Sequence, residues 1–275
     1  MSEVNSSNCD HNCSHCGADC SSREIKKLET NAASSIKKVI AVVSGKGGVG
    51  KSTVTGLLAK DLTKKGYKVG ILDADITGPS VPKMFGEEDP AYAENGMILP
   101  NVTEEGIHLI SANMLLEDLE TPVLWRGPIL SSVLQQFFKD TKWDDLDYLL
   151  VDMPPGTGDV PLTVFQMYPV DGVVIVTTPQ ELVSMIVMKA VNMARMMNVP
   201  VVGVVENMSY VLCPDCGKKI EVFGESSLPY LEKEKGLKAL DALPIEPKTA
   251  SLSDSGSIMK SELSLPKAVE ALENL

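Results

Sequence analysis

Ten residues near the start of the chain, SGKGGVGKST from Ser44 to Thr53, carry the most specific chemistry. Gly45, Gly50, Lys51 and Ser52 fall in the spacing G-x-x-x-x-G-K-[ST], between an apolar β-branched run and a helix-compatible stretch. That context suits a phosphate-binding loop: the glycines let the backbone turn its N–H groups onto phosphate oxygens, and the following helix N-terminus adds a positive end. Gly45, Lys46, Gly47, Gly48, Val49, Gly50, Lys51, Ser52 and Thr53 are therefore the candidate nucleotide-binding loop. Lys51 has the position that reaches the β- and γ-phosphates, and Ser52 the position that ligates Mg²⁺. Lys46 is one lysine more than this chemistry needs.

Mg²⁺ and an attacking water call for carboxylates at neighbouring strand ends. Asp152 closes the run YLLVD, where an acidic residue holds Mg²⁺ directly or through water. MPPGTGD follows, with Gly156 and Gly158 free to move toward a γ-phosphate and Pro154 and Pro155 stiffening the approach. The run ending DADITGPS brings Asp73 and Asp75 close to the phosphates. Two positions apart on a strand, they are expected to share a face, with Asp75 nearer the loop and placed to position the attacking water.

Thiols form the second group. Cys213 and Cys216, in CPDC, provide two ligands, which residue types alone leave open among zinc, an iron–sulfur cluster and a dithiol pair. A four-ligand site needs two more, and a two-fold dimer that sets this loop against its copy supplies them. The motif follows a strand and precedes a Gly-Lys turn of the kind found in metal knuckles, whereas a redox dithiol usually opens a helix. Cys9, Cys13, Cys16 and Cys20 lie within CDHNCSHCGADC, where four thiolates can wrap one metal centre and His11 or His15 can replace one of them.

The elements that must position these groups follow from periodicity. KVIAVVS (Lys38 to Ser44), YKVGILDAD (Tyr67 to Asp75), DYLLVDMP (Asp147 to Pro154), DGVVIVTTP (Asp171 to Pro179) and VPVVGVVEN (Val199 to Asn207) are short, near-continuous apolar runs separated by longer helix-compatible stretches. Such strands fit a parallel sheet covered on both faces, a doubly wound α/β fold. The first helix is expected to begin near Lys51 and end at Gly66. Residues 1–36 stand outside this rhythm as a Cys-rich tail and a charged connector predicted to be helical, and residues 37–275 form the folded domain. GIHLIS, with His108, reads as a strand, and the Met-rich SMIVMKAVNMARMMN as a packing helix.

Composition bounds the partners. The chain has 275 residues, 44% hydrophobic, and a formal charge of −12 from 25 Lys+Arg against 37 Asp+Glu. An acidic chain without a Lys/Arg block is not expected to bind nucleic acid. Its N-terminus is polar where a signal peptide is apolar, and its apolar runs are strand-sized, so no membrane association and a cytoplasmic location are expected. In that reducing setting, metal ligation is a better reading of six cysteines than structural disulfides.

GKGGVGKS resembles the deviant Walker A motif of the MinD/ParA/nitrogenase-iron-protein class of P-loop ATPases, of the SIMIBI type. LDADITGPS, WRGPILSSVLQQF, LDYLLVDMPPGTGD and ENMSYVLCPDCGKK together look like the Mrp-type iron–sulfur cluster carriers, a resemblance that covers about residues 36–275. It implies that Lys46 crosses a homodimer interface to the partner's nucleotide and that Asn207 reads the adenine. It further implies that Cys213 and Cys216 hold a [4Fe–4S] cluster shared between two subunits, for delivery to apoproteins, with slow, switch-like ATP hydrolysis. The N-terminal spacing here, C-x3-C-x2-C-x3-C, departs from the C-x13-C-x2-C-x5-C of eukaryotic scaffold relatives and retains only the central C-x2-C. Three alternatives share parts of the pattern: a MinD/ParA-type positioning ATPase, which calls for a membrane-binding C-terminal helix or a basic DNA-binding face; a zinc-binding regulatory ATPase; and a nitrogenase-reductase-like electron donor, which calls for a cysteine close after the Walker B strand that VDMPPGTGD lacks.

Overall fold

Alternate residues of the first strand divide the interior in two. In β1 (Ser34–Ser44), Val39, Ala41 and Val43 enter one apolar cluster while Ile40 and Val42 enter the other. A pleated strand sends successive side chains to opposite faces, so a strand apolar at both parities must be covered on both sides. The computed structural model, which describes residues 26–76, 78, 80–115, 127–180 and 183–275, meets that requirement.

After β1 come α1 (Lys51–Lys64), β2 (Val69–Asp73), α2 (Val81–Phe85), β3 (Tyr92–Glu94), β4 (Met97–Leu99), β5 (Asn101–Val102) and β6 (His108–Ser111). The chain continues through α3 (Gly127–Lys139), β7 (Asp144–Asp152), α4 (Asp159–Met167), β8 (Gly172–Thr177), α5 (Val183–Met196), β9 (Val201–Leu212) and β10 (Lys219–Ile220). It ends with α6 (Leu228–Lys235), β11 (Ala239–Pro244), α7 (Pro247–Asp254) and α8 (Pro266–Glu273). The main sheet has the order β10-β9-β8-β1-β7-β2-β6-β5, with β11 also paired to β9. All its pairings are parallel except the edge pairs β5–β6 and β9–β10. β3 and β4 form a separate antiparallel pair.

One face is packed by Leu134, Phe137 and Phe138 of α3, Val164 and Phe165 of α4 and Val187 and Val191 of α5. The other is packed by Leu57, Leu58 and Leu62 of α1, Met84 and Phe85 of α2 and Val269 and Leu272 of α8. Each such side chain, fully buried, contributes about 1.5–3 kcal/mol. The doubly wound sheet expected from the sequence is the one observed, and α1 starts at Lys51 as expected, with Gly66 at φ 92° just past its C-terminus. Among the described residues no helix is long and apolar enough to cross a membrane.

The connector departs from expectation. Residues 26–31 have no regular structure, a turn follows, and β1 already begins at Ser34, so the described part of the predicted helix is not helical. Here tertiary partners override local propensity: the Leu28 N–H donates to Met167 O at 2.7 Å and Lys27 Nζ to Phe165 O at 2.6 Å, both carbonyls at the C-terminal end of α4. The Met-rich helix does pack, through Val187, Ala190, Val191, Met193 and Ala194, although Met185 and Met196 stay exposed.

Two glycine turns bring the ends of α2 and α7 together. Gly86 ends α2 at φ 73°, and Gly256, at φ 68° beyond α7, lies so close that a Cβ on it would meet Gly86 Cα at 2.7 Å and N at 2.9 Å. Backbone cannot yield as a side chain can. Gly256→Ala is therefore expected to lower stability by about 2–4 kcal/mol, combining left-handed strain with overpacking; urea unfolding of the two proteins checks it, and a loss under 1 kcal/mol would contradict the close approach.

Candidate functional site: a phosphate cleft joined to a cysteine hairpin

Parallel topology puts the chemistry at one edge. The C-terminal ends of β1, β7 and β2 lie side by side, with Val42 paired to Asp152 and Asp152 to Asp73. Ligand sites of doubly wound sheets form outside the carboxyl ends of the strands, where the chain order reverses. Next to β1 lies a cleft of about 430 Å³ lined by the loop from Lys46 to Thr53, with Asp75, Pro155, Lys83 of α2 and Asp254 of α7 on its other walls.

Asp152 is the centre of the hydrogen bonding. Its Oδ2 accepts from Lys51 Nζ and Ser52 Oγ, each at 2.6 Å, and its Oδ1 accepts from Thr55 Oγ1 at 2.7 Å. Asp152 is fully buried and Lys51 nearly so, so the pair stands only because these donors satisfy both oxygens. Ser52 and Asp152, the two residues expected to hold Mg²⁺, thus converge, and a hydroxyl beside a carboxylate oxygen is a donor set that suits a hard cation. Among the described residues no cluster of three or more His, Cys, Asp or Glu side chains is gathered for a metal.

Asp73 and Asp75 do not share a face. β2 ends at Asp73, and the chain turns there, so that the Asp73 carboxylate is buried and accepts from the backbone N–H groups of Asp75, Ser80 and Val81 at 3.0, 3.2 and 3.2 Å. Asp75 is half-buried and lines the cleft. Asp73 is an anchor for the loop that carries Asp75. Burial, and then the charge of Asp152 beside it, push the Asp73 carboxyl up to about 8, against the opposing pull of Lys51 and the amides of Asp75 and Val81.

The rest of the loop is held by short links. The Gly156 N–H donates to Ser44 O at 2.8 Å, tying MPPGTGD to the end of β1. Gly50 has φ 78°, and a Cβ on it would lie 2.2 Å from Asn207 Nδ2, so a larger residue here would be strained and would have to displace the Asn207 side chain. Asn207 Nδ2 donates to Val49 O at 3.0 Å. A second pocket of about 140 Å³ opens here, lined by Gly50, Thr53, Asn207, Met208, Pro244, Ile245 and Glu246 among others. It adjoins the phosphate cleft through Gly50, Thr53 and Ala250. Lys46 Nζ donates to Gln180 Oε1 within the same chain.

Cys213 and Cys216 lie between β9 and β10, at a tight turn closed by Cys213 N–H to Lys218 O and Gly217 N–H to Cys213 O, both 2.9 Å. Both are free thiols, Cys213 half-buried and Cys216 exposed. The amide N–H groups of Cys216 and Asp215 favour the thiolate and hold Cys213 below the usual thiol range, as a metal knuckle does. Cys9, Cys13, Cys16 and Cys20 lie outside the described residues.

Three partners escaped the sequence reading. Thr55 sits one turn beyond Lys51 on the same face of α1, a spacing that could have flagged it. Glu206, acidic directly after the apolar run VVGVV of β9, accepts from Ser209 Oγ at 2.6 Å and from the Ser227 N–H and Oγ at 2.8 and 2.7 Å. Gln180 had no local signal.

The raised Asp73 carboxyl gives a signed prediction. Its folded value lies above the unfolded one, near 4, so the folded state holds the proton more tightly between about pH 4 and 8. The stability this contributes is complete below pH 4 and is lost as pH rises toward 8. Wild type is therefore expected to lose stability relative to Asp73→Asn, whose side chain does not titrate, as pH rises over that window; urea titrations of nucleotide-free protein at pH 5 and 8 measure it, and a wild type that gains on the variant between those pH values would contradict the assignment.

Comparison with known proteins now joins the geometry. Residues 35–275 match the family model described as ParA, NUBPL iron-transfer P-loop NTPase. The iron-sulfur cluster carrier protein of Clostridium perfringens is 54% identical over 243 residues, covering 85% of each chain. That of Methanocaldococcus jannaschii is 45% identical over 258 residues, covering 90% of this chain and 89% of its own. Among solved structures, a nucleotide-binding protein from Archaeoglobus fulgidus in complex with ADP is 42% identical with a TM-score of 0.75, covering 83% of this chain and 90% of its own. The Pyrococcus furiosus cell division ATPase MinD shares the fold, at 21% identity and a TM-score of 0.65, over 86% of this chain and 99% of its own. A match across the whole described domain, with the phosphate loop, Asp152 and the cysteine hairpin in one sheet, makes the chain a member of the NUBPL iron-transfer P-loop NTPase family.

Proposed function

We propose that the protein is a cytoplasmic, homodimeric ATPase that carries an iron–sulfur cluster between two copies of its Cys213–Cys216 hairpin and delivers it to apoproteins. The observation that carries this reading is β9. This one strand contributes Asn207 to the pocket beside the phosphate loop and leads directly into two thiols, Cys213 and Cys216, six and nine residues beyond Asn207, the first of them biased toward thiolate. The names of the curated relatives support the same cargo.

ATP enters with its phosphates along the loop from Gly45 to Thr53 and its adenine against Asn207. The phosphate chain competes with Asp152 for Lys51, which then neutralises the β- and γ-phosphates. Ser52 and Asp152 would hold Mg²⁺, which supplies charge stabilisation for the transferring phosphoryl group. Asp75, anchored through its N–H on Asp73, positions a water for in-line attack on the γ-phosphorus. The bond from that phosphorus to the β–γ bridging oxygen breaks, giving ADP and inorganic phosphate. Gly156 and its neighbours follow the γ-phosphate, and their tie to Ser44 O relays the change to β1. Lys46 leaves Gln180 and reaches the partner's nucleotide when the dimer closes. The four N-terminal cysteines, Cys9, Cys13, Cys16 and Cys20, hold a further metal centre.

Two thiols per chain make the cluster depend on the dimer. Anaerobically reconstituted wild type is expected to carry iron and acid-labile sulfide at the hairpin, in the dimer. Cys213→Ala should remove the hairpin's share and abolish transfer to an apoprotein acceptor, with any iron on the N-terminal cysteines unaffected. Unaltered transfer by that variant, or stoichiometric zinc with no sulfide in the wild type, would sink the cargo assignment.

The two lysines separate in a second measurement. Lys51→Ala is expected to lose nucleotide binding together with at least about 10²-fold in hydrolysis. Lys46→Ala should bind nucleotide better than Lys51→Ala yet lose nucleotide-dependent dimer closure and about 10²–10³-fold in hydrolysis, as a cation supplied in trans does. Equal loss of binding in both variants would return Lys46 to a role within its own loop.

A further inference from the structure

β9 does not run evenly from the cleft to the cysteines. Its register against β11 pairs Glu206 with Ala242 and Tyr210 with Pro244, so β9 spends four residue steps where β11 spends two. The surplus leaves the ladder as a bulge of Asn207, Met208 and Ser209. Met208, at its apex, has φ 57°, in the left-handed region that a side chain disfavours. Bulges next to functional sites re-aim side chains, and a strained residue held by its surroundings is a place where two backbone arrangements compete.

Both sides of the bulge are tied to something that matters. On the nucleotide side, Asn207 bonds Val49 O of the phosphate loop, and Asn207 and Met208 together form one wall of the 140 Å³ pocket. Pro244, Ile245 and Glu246, which line the same pocket, are joined to β9 just past the bulge by the Ile245 N–H to Tyr210 O at 2.7 Å. On the cysteine side, Glu206 closes the base of the whole excursion. Its carboxylate accepts from Ser209 at one end and from Ser227 at the other. Beyond the bulge, β9 pairs with β10 through Leu212 with Lys219 and Val211 with Ile220, so the segment that bears Cys213 and Cys216 is a hairpin arm continuous with β9.

We propose that the Asn207–Ser209 bulge is a hinge that converts occupancy of the base pocket into a change in the position of the cysteine arm, with Met208 as its positioning residue. This rests on the reading of the pocket as the adenine site of a cluster carrier. A purine entering the pocket that Met208 lines presses on the apex of the bulge, and the arm, pivoting at Glu206, changes the exposure of its thiols. A bulge whose sole task is to aim Asn207 at Val49 predicts no such change.

The test reads the thiols in the metal-free, reduced full chain by pulsed alkylation with iodoacetamide and mass analysis of the peptide containing Cys213 and Cys216. ADP is used at a concentration that saturates each variant, established by titration. In wild type, ADP should change the alkylation rate of that peptide by about fivefold or more, the lower range of ordinary coupling between sites. Met208→Ala removes the contact and should bring the ratio to about one, while Met208→Leu, similar in volume, should keep most of it. Equal rates with and without ADP in wild type, or an unchanged ratio in Met208→Ala, overturns the hinge. Iron and sulfide content are measured separately on reconstituted wild type. A hinge without cluster refutes the cargo alone, and a cluster without thiol response refutes the hinge alone.

Discussion

Everything at the nucleotide edge depends on one buried carboxylate. Asp152 receives Lys51, Ser52 and Thr55 through both its oxygens, and those three donors come from the first turns of α1. Removed from water, a carboxylate–ammonium pair is not a source of large net stability, because desolvation offsets most of the attraction. What it does is fix position. The end of β7, the start of α1 and the loop between β1 and α1 are held in one arrangement. In the proposed function an incoming nucleotide would offer Lys51 a second set of anionic partners, so that binding would exchange one ion pair for another.

The same economy of charge extends to the neighbouring strand. Asp73 stands directly across from Asp152, and two carboxylates in a dry sheet edge cannot both ionise freely. Three backbone N–H groups fold around Asp73 and thereby shape the turn that brings Asp75 into the cleft. On the other flank, Glu206 plays the corresponding part for the cysteine segment, closing it with hydrogen bonds from Ser209 and Ser227. In each case a buried acid arranges backbone, and the segment so arranged carries the candidate group, Asp75 in one and the two thiols in the other.

Legibility in the sequence followed the range of the interactions. The phosphate loop could be read because its geometry is local: glycines, a lysine and a serine at fixed offsets, between a strand and a helix, do most of what the site requires. The sheet could be read from runs of β-branched residues. The connector could not, because its charged, helix-compatible composition was outweighed by bonds to the end of α4, more than a hundred residues away in the chain. The expected shared face of Asp73 and Asp75 failed for a similar reason, since the strand ends where its last carboxylate finds amides to accept.

By itself, then, the sequence determined the fold class, the phosphate loop with Lys51 and Ser52, the strand-end acid Asp152 and the two-thiol motif, all of which rest on neighbours within a few positions. Only the tertiary structure decided that Thr55 completes the shell of Asp152, that Lys46 meets Gln180, that Glu206 clamps the cysteine segment, and that β9 bulges between Asn207 and Ser209. These depend on which strands become neighbours and in what register. A polar group taken out of water must find its partner wherever the packed chain has put one, and no short stretch of sequence contains that information.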